Sequence, residues 1–316
     1  MKKRFLNILL LSVFSIFILI SGCGTKEAGK PRIALVMKSL ANEFFKTMED
    51  GARQHQQQFP EKYDLTAVGI KDELDVAKQM DLVEQMIAQQ VSAIVIAPAD
   101  SKAMVGVCKK AVDAGIVVVN IDNKLDDEVL KDKNIKIPFV GPDNRKGAYL
   151  AGQYLAQKLQ KGDKAAIIEG APNAFNAVQR KVGFEDAMKE AGIEIVTSQS
   201  GNWETDKANQ LVSAIITENP DIKAILCAND SMALGSAAAL RTAGKTDDIL
   251  IVGFDNISAA QTLLKEGKML CTVDQHADKL AVFGIKFALD ILAGNQAVEK
   301  KETPVDLITA ETLKQR

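Results

Sequence analysis

Short, uniformly apolar runs alternate with longer stretches that repeat every three or four residues, and this alternation continues from residue 33 to residue 309. A run too short for an amphipathic helix reads as a buried strand, and the periodic stretch after it as a surface helix. The segment AILCANDSMALG at 224–235 shows the unit: an apolar strand, a polar break at Asn229 and Asp230, then a helix start. In the first part of the chain the pattern predicts strands over 33–38, 66–70, 93–98 and 117–122, with helices over 42–58, 76–89 and 101–114 between them. A charged loop is expected at 123–137 and one further short strand at 139–140.

The second series predicts helices over 145–160, 175–191, 206–217, 231–241 and 258–266, and strands over 165–169, 193–198, 224–227, 249–254 and 269–273. Helix 277–292 and a last strand over 305–309 follow. Helices between strands force parallel pairing through right-handed crossovers. So many strands exceed one comfortable open sheet. The expected fold is therefore α/β, with two doubly wound parallel-sheet domains joined by a three-segment hinge near Gly141-Pro142-Asp143, near Gln275 and near Pro304. The first lobe is expected over 31–140 and 276–304, the second over 141–275 and 305–316.

The start of the chain breaks the pattern. Lys2, Lys3 and Arg4 precede an apolar run from Phe5 to Ile20 and the small residues Ser21 and Gly22, the layout of a secretory signal over 1–22. A retained transmembrane anchor is the competing reading, against which the run is short for a span. Ile20-Ser21-Gly22-Cys23 also resembles a bacterial lipobox, which implies cleavage before Cys23, lipid on its sulfur, and a polar tether over 23–30. The protein is then expected to be exported and lipid-anchored at the cell envelope.

Removing the three basic residues of the signal takes the formal net charge from −2 to −5, which offers no electrostatic footprint for nucleic acid. Cys108, Cys227 and Cys271 have no CxxC spacing and read as small buried hydrophobes, although export would permit a pair to oxidise. Two histidines, His55 and His276, neither at ligand spacing from a cysteine pair, argue against a metal site, and no cofactor is expected.

In an open parallel sheet, ligands bind beyond the carboxyl ends of the strands. The residues there are Lys38, Asp122 with Asn123, Asn173 with Asn176, Trp203, Asn229 with Asp230, Phe254 with Asp255, and Gln275. Nearly all hydrogen-bond or present an aromatic face, which is what a polyol or sugar requires. Each has a second reading. Asn42 is a helix cap or a ligand donor; Asp230 and Asp255 precede helices, where capping competes; Asp122 is a turn residue or an acceptor; Arg180 is a solvated helix charge or a site residue. Phe44 and Phe45 project about 100° apart on a helix, so one is expected to pack inward while the other faces the cleft, unless both are core. Trp203 stands in a loop after a Gly-Asn turn, where an unpartnered tryptophan is unusual.

Six motifs in order, KSLANEFF at 38–45, NIDNK at 120–124, GPDN at 141–144, CANDSMALG at 227–235, VGFDN at 252–256 and TVDQ at 272–275, make the chain from 33 to 309 resemble the periplasmic sugar-binding proteins of the ribose, galactose and allose group. The resemblance implies a type I periplasmic binding fold that delivers a monosaccharide to an ABC permease and its ATPase, acting as a monomer. It implies that Asn42, Phe44, Phe45, Asp122, Arg180, Trp203, Asn229, Phe254, Asp255 and Gln275 line the site. Phe45 and Trp203, helped by Phe44 and Phe254, would sandwich the ring; Asp122 and Asp255 would accept from hydroxyls, and the others would complete the polar contacts. Lys38 and Asn123 depart from the ribose-binding pattern, and Lys38, NIDNK and Trp203 look closer to the allose-binding branch. Binders of a polyol, inositol or signalling molecule that serve a chemoreceptor share this pattern.

Other classes fit less well. No GxGxxG follows the first strand, ALRTAGKT at 239–246 only imitates a phosphate loop because it follows a helix, and no nucleophile lies beside a histidine. A transcription regulator with this sensor fold would open on a helix-turn-helix, where this chain has an export signal.

Overall fold

The computed structural model describes residues 29–295 and 299–315; the signal, Cys23 and most of the tether expected from the sequence lie outside them. The first half runs β1 (Arg32–Ser39), α1 (Glu43–Gln58), β2 (Asp64–Ile70), α2 (Val76–Ala88), β3 (Ala93–Ile96), α3 (Met104–Asp113), β4 (Val117–Ile121), α4 (Asp127–Asp132) and β5 (Phe139–Pro142). These strands, with the late β11 (Lys300–Thr303), form a six-stranded sheet in the order β11-β5-β4-β3-β1-β2, parallel throughout. Every residue of β3 is buried and β1 is buried after its first residue, as expected of strands covered by helices on both faces.

The second half contains α5 (Asn144–Ala156), β6 (Lys164–Glu169), α6 (Phe175–Ala191), β7 (Glu194–Ser200), α7 (Thr205–Glu218), β8 (Ala224–Cys227), α8 (Asp230–Thr242), β9 (Leu250–Val252) and α9 (Ser258–Lys265). Its parallel sheet has the order β7-β6-β8-β9. Beside it β10 (Thr272–Asp274) pairs antiparallel with β12 (Asp306–Ile308), and α11 (Ala310–Leu313) follows. Helix α10 (Ala277–Leu292) returns to the first half, where it packs on α1, β3 and β4. The chain therefore passes between the two sheets at three places: after β5, between β10 and α10, and between β11 and β12.

Three local expectations change. The stretch expected as loop at 123–137 contains α4, because the Asp126 carboxylate caps it by accepting from the Val129 amide and Leu130 turns into the core. Helix α3 starts three residues later than expected; Asp100 accepts from the Lys102 and Ala103 amides and holds that segment as a turn. Strand β11 has no apolar signal, since three of its four residues are exposed at the sheet edge and parallel pairing with β5 alone recruits it. Cys108, Cys227 and Cys271 are buried free thiols, and burial pushes the Cys108 and Cys227 thiols up to about 12.

Candidate functional site

The carboxyl ends of the strands from both sheets face each other across a cleft, and their polar residues converge on one pocket. Its walls are Lys38, Asn42, Phe44, Phe45, Glu73, Asp122, Asn176, Arg180, Trp203, Asn229, Asp255 and Gln275. On the first half, β1 delivers Lys38 and the first turn of α1 delivers both phenylalanines. Both rings are buried, edge to face with centroids 5.1 Å apart, and both border the pocket. The expected division into one inward and one cleft-facing ring does not occur, because the closed cleft is continuous with the core. Asn42 is the helix cap: its Oδ1 accepts from the Phe44 amide, capping α1, while its Nδ2 donates to Glu73 Oε1 at 2.9 Å at the pocket wall.

The second half contributes the other cation and the large ring. Arg180 is buried, donating from Nε to Asn144 Oδ1 and from Nη1 to the Ala228 carbonyl, both at 2.8 Å, with Asp255 Oδ1 3.5 Å away. Gln275 Nε2 donates to the same Asp255 oxygen at 2.7 Å. Trp203 is only 6% exposed, and a Cβ at Gly170 would lie 2.1 Å from its ring, so the glycine is what lets the indole reach the pocket. Lys38 Nζ stands 5.4 Å from the Trp203 ring centroid and 5.8 Å from that of Phe45, with Asp122 Oδ2 3.7 Å and Glu73 Oε2 3.9 Å away. Asp122, Trp203 and Asp255 hold positive φ angles of 61°, 72° and 122°, a conformation costly for these residues and concentrated at functional sites.

Four residues singled out in the sequence, Phe254, Asn123, Asn173 and Asp230, do not border the pocket. Phe254 lies beneath Arg180, with the guanidinium carbon 3.7 Å from its ring centroid, so it supports the cation instead of flanking a ligand ring. Asn123 is buried beside the pocket, where Nδ2 donates to the Pro98 carbonyl and Oδ1 accepts from the Asn176 amide. Asn173 lies outside the wall too, donating to Asp100. Capping explains neither aspartate: α8 is capped by Asn229, and Ile257 precedes α9. Sequence reading missed Glu73. It sits past the end of β2, where the same strand-end rule would have found it, but KDELD reads as a solvated charge run.

Among the described residues, three buried side-chain oxygens of this pocket have no hydrogen-bond donor: Asp122 Oδ2, Asn176 Oδ1 and Gln275 Oε1. Buried acceptors left unpaired are costly, so a set converging on one space marks a place for a donor-rich guest.

Residues 33–296 match the periplasmic binding protein domain family. The chain belongs to this family. It is 54% identical to the D-ribose/D-allose-binding protein of Pseudomonas aeruginosa across 98% of both chains. A solute-binding protein of an ABC transporter from Actinobacillus succinogenes, solved with bound D-allose, is 37% identical and superposes with a TM-score of 0.86 over 91% of this chain and all of that one. Another, from Burkholderia multivorans, is 57% identical with a TM-score of 0.87 over 89% of this chain and all of that one; its ligand was unknown and represented as alpha-D-erythrofuranose.

Periplasmic binding proteins are solute carriers of ABC importers and are exported. The buried charges of this binding protein are arranged at some cost. Burial raises the Glu73 and Asp255 carboxyls and lowers the Arg180 guanidinium; Lys38 counters the first, and the Arg180–Asp255 pair counters the other two. Asp230, behind the wall, accepts from Thr272 Oγ1 at 2.7 Å and from the Ile257 amide at 3.0 Å, yet burial still pushes it up to about 6.

A carboxyl raised in the folded state binds its proton more tightly there than in the unfolded chain, whose value is 3.8. The penalty for charging Asp230 is therefore complete above about pH 6 and disappears as pH falls to about 4. A shift of about two units corresponds to about 3 kcal/mol. The thermal stability difference between the wild type and Asp230→Asn should accordingly change by about 2–3 kcal/mol in favour of the wild type between pH 7 and pH 4. Melting curves across that range check it, and parallel profiles would contradict it.

Proposed function

We propose that this binding protein carries a monosaccharide of the allose or ribose type in the pocket between its sheets and presents it to an ABC permease and its ATPase. The observation that carries the reading is the convergence of three buried acceptors without a hydrogen-bond donor with Phe44, Phe45 and Trp203. Sugar hydroxyls supply the missing donors, while the apolar faces of the ring lie against the aromatic planes. The D-allose and D-ribose specificities of the relatives point the same way.

In this reading the lobes are 31–140 with 276–304 and 141–275 with 305–316, and they rotate about the three crossings. A ligand shifts such an equilibrium only if it binds the closed form better, which requires contacts with both lobes. Asn42, Phe45 and Asp122 stand on one side, and Arg180, Trp203, Asn229 and Asp255 on the other. Mature protein starts at a lipidated Cys23 and works as a monomer tethered to the envelope. Cys23→Ala is expected to abolish lipid labelling and release the protein from the membrane fraction; full labelling of that variant would refute the anchor.

Because Trp203 is the sole tryptophan, its intrinsic fluorescence reports the pocket directly. Titration with D-allose, D-ribose, other aldoses, polyols and myo-inositol should give a saturable shift at micromolar concentration or below with an aldose. A response to myo-inositol alone, or none across the panel, would overturn the reading.

A further inference from the structure

Helices α6 and α9 of the second half begin on Ala174 and Ile257, neither of which offers a side-chain cap. Their first amides are nevertheless bonded, and the acceptors come from the opposite half. The Phe175 amide donates to Ser101 Oγ at 2.9 Å and the Asn176 amide to Asn123 Oδ1 at 3.1 Å. On the other side of the cleft, the Ser258 amide donates to Glu43 Oε1 at 2.7 Å. The strap at α6 is reciprocal: the Ser101 amide donates to the Asn173 carbonyl at 3.0 Å, and Asn173 Nδ2 donates to Asp100 Oδ2 at 2.8 Å.

We propose that Ser101, Asn123 and Glu43 are affinity-determining residues that act without touching the ligand, by capping α6 and α9 in trans only when the cleft is closed. The first amides of a helix have no partner within it, and they attract acceptors and negative charge. In a separated cleft they face water; on closure they regain acceptors that the local sequence withholds from them. The apparent affinity of a protein that binds in its closed form scales with the population of that form, so trans-capping enters the dissociation constant as a factor common to every ligand. Asn123, beside the pocket but not bordering it, thereby acquires a role in closure.

The inference rests on the sugar-binding reading for its principal measurement. Ser101→Ala, Asn123→Ala and Glu43→Ala are each expected to raise the dissociation constants for D-allose and for D-ribose about three- to tenfold by calorimetry, with the ratio between the two sugars preserved. Glu43→Gln keeps the acceptor and should stay within about twofold of the wild type. Affinities unchanged in all three alanine variants, or a sugar ratio altered more than about threefold, would overturn the proposal, the second by pointing to direct ligand contact. Ligand-free protein gives an independent reading. Cysteines placed at Lys124 and Phe175, whose side chains meet across the cleft with the ammonium 5.9 Å from the ring centroid, should be joined by a short thiol cross-linker at a rate set by the closed population. That rate should fall several-fold on adding Glu43→Ala. If neither sugar binds the wild type but the rate falls, the latch stands and the ligand reading fails; an unchanged rate rejects the latch.

Discussion

Asp255→Ala is expected to weaken sugar binding by about 2–4 kcal/mol, a loss of about thirty- to a thousandfold in affinity. The carboxylate accepts from Gln275 Nε2 at 2.7 Å and faces Arg180 Nη1 at 3.5 Å, all within one buried pocket. Its removal strands the amide donor and leaves the guanidinium without its nearest counter-charge, so the ligand must bind a site whose remaining polar groups are mispaired. Burial already pushes the Asp255 carboxyl well above its ordinary range, which means that the folded protein is not stabilised by charging it. Thermal stability without ligand should nevertheless fall as well, because the buried Arg180 guanidinium keeps its charge and loses that partner. Calorimetric affinity close to that of the wild type would remove Asp255 from the site.

Trp203→Ala should damage both binding and folding. The indole borders the pocket and is also part of the hydrophobic core, lying against Gly170 and near the guanidinium of Arg180, 5.6 Å from its ring centroid. Truncating a buried ring of this size costs about 3–5 kcal/mol of stability. Loss of the aromatic plane should remove at least another 2 kcal/mol or so of ligand binding. Trp203→Phe separates the two effects, since it keeps a ring face for the sugar at the expense of some packing; binding by calorimetry should fall less than tenfold. Equal affinity in Trp203→Ala and the wild type would show that the indole only fills space.

Much of the pocket was legible because it obeys a positional rule. Lys38, Asp122, Asn229, Asp255 and Gln275 all follow an apolar strand, and an open parallel sheet gathers such residues at one edge. The rule gives positions and not directions. It did not distinguish Asn229, which borders the pocket, from Asp230, whose carboxylate turns away to Thr272 and Ile257. It also placed Phe254 beside a ligand, when the ring lies beneath Arg180. Glu73 was passed over because its neighbours are charged, and a charged run looks the same whether water or Lys38 surrounds it. In the fold, the missed elements α4, β11 and α11 lack a strong local pattern: the two helices are six and four residues long, and the strand is an edge strand recruited by its neighbour.

The alternation of buried strands with amphipathic helices, and with it an α/β architecture of parallel sheets, is written into the order of the residues, because hydrophobic periodicity is a local property that each segment carries wherever it lies. The tertiary structure alone decided the strand order β11-β5-β4-β3-β1-β2, the recruitment of β11 to its edge, and the entry of Glu73 into the pocket beside Lys38 and Asp122. Those outcomes depend on which distant backbone edges share hydrogen bonds and which buried charges must meet to offset their loss of water, and neither can be assigned to any one segment.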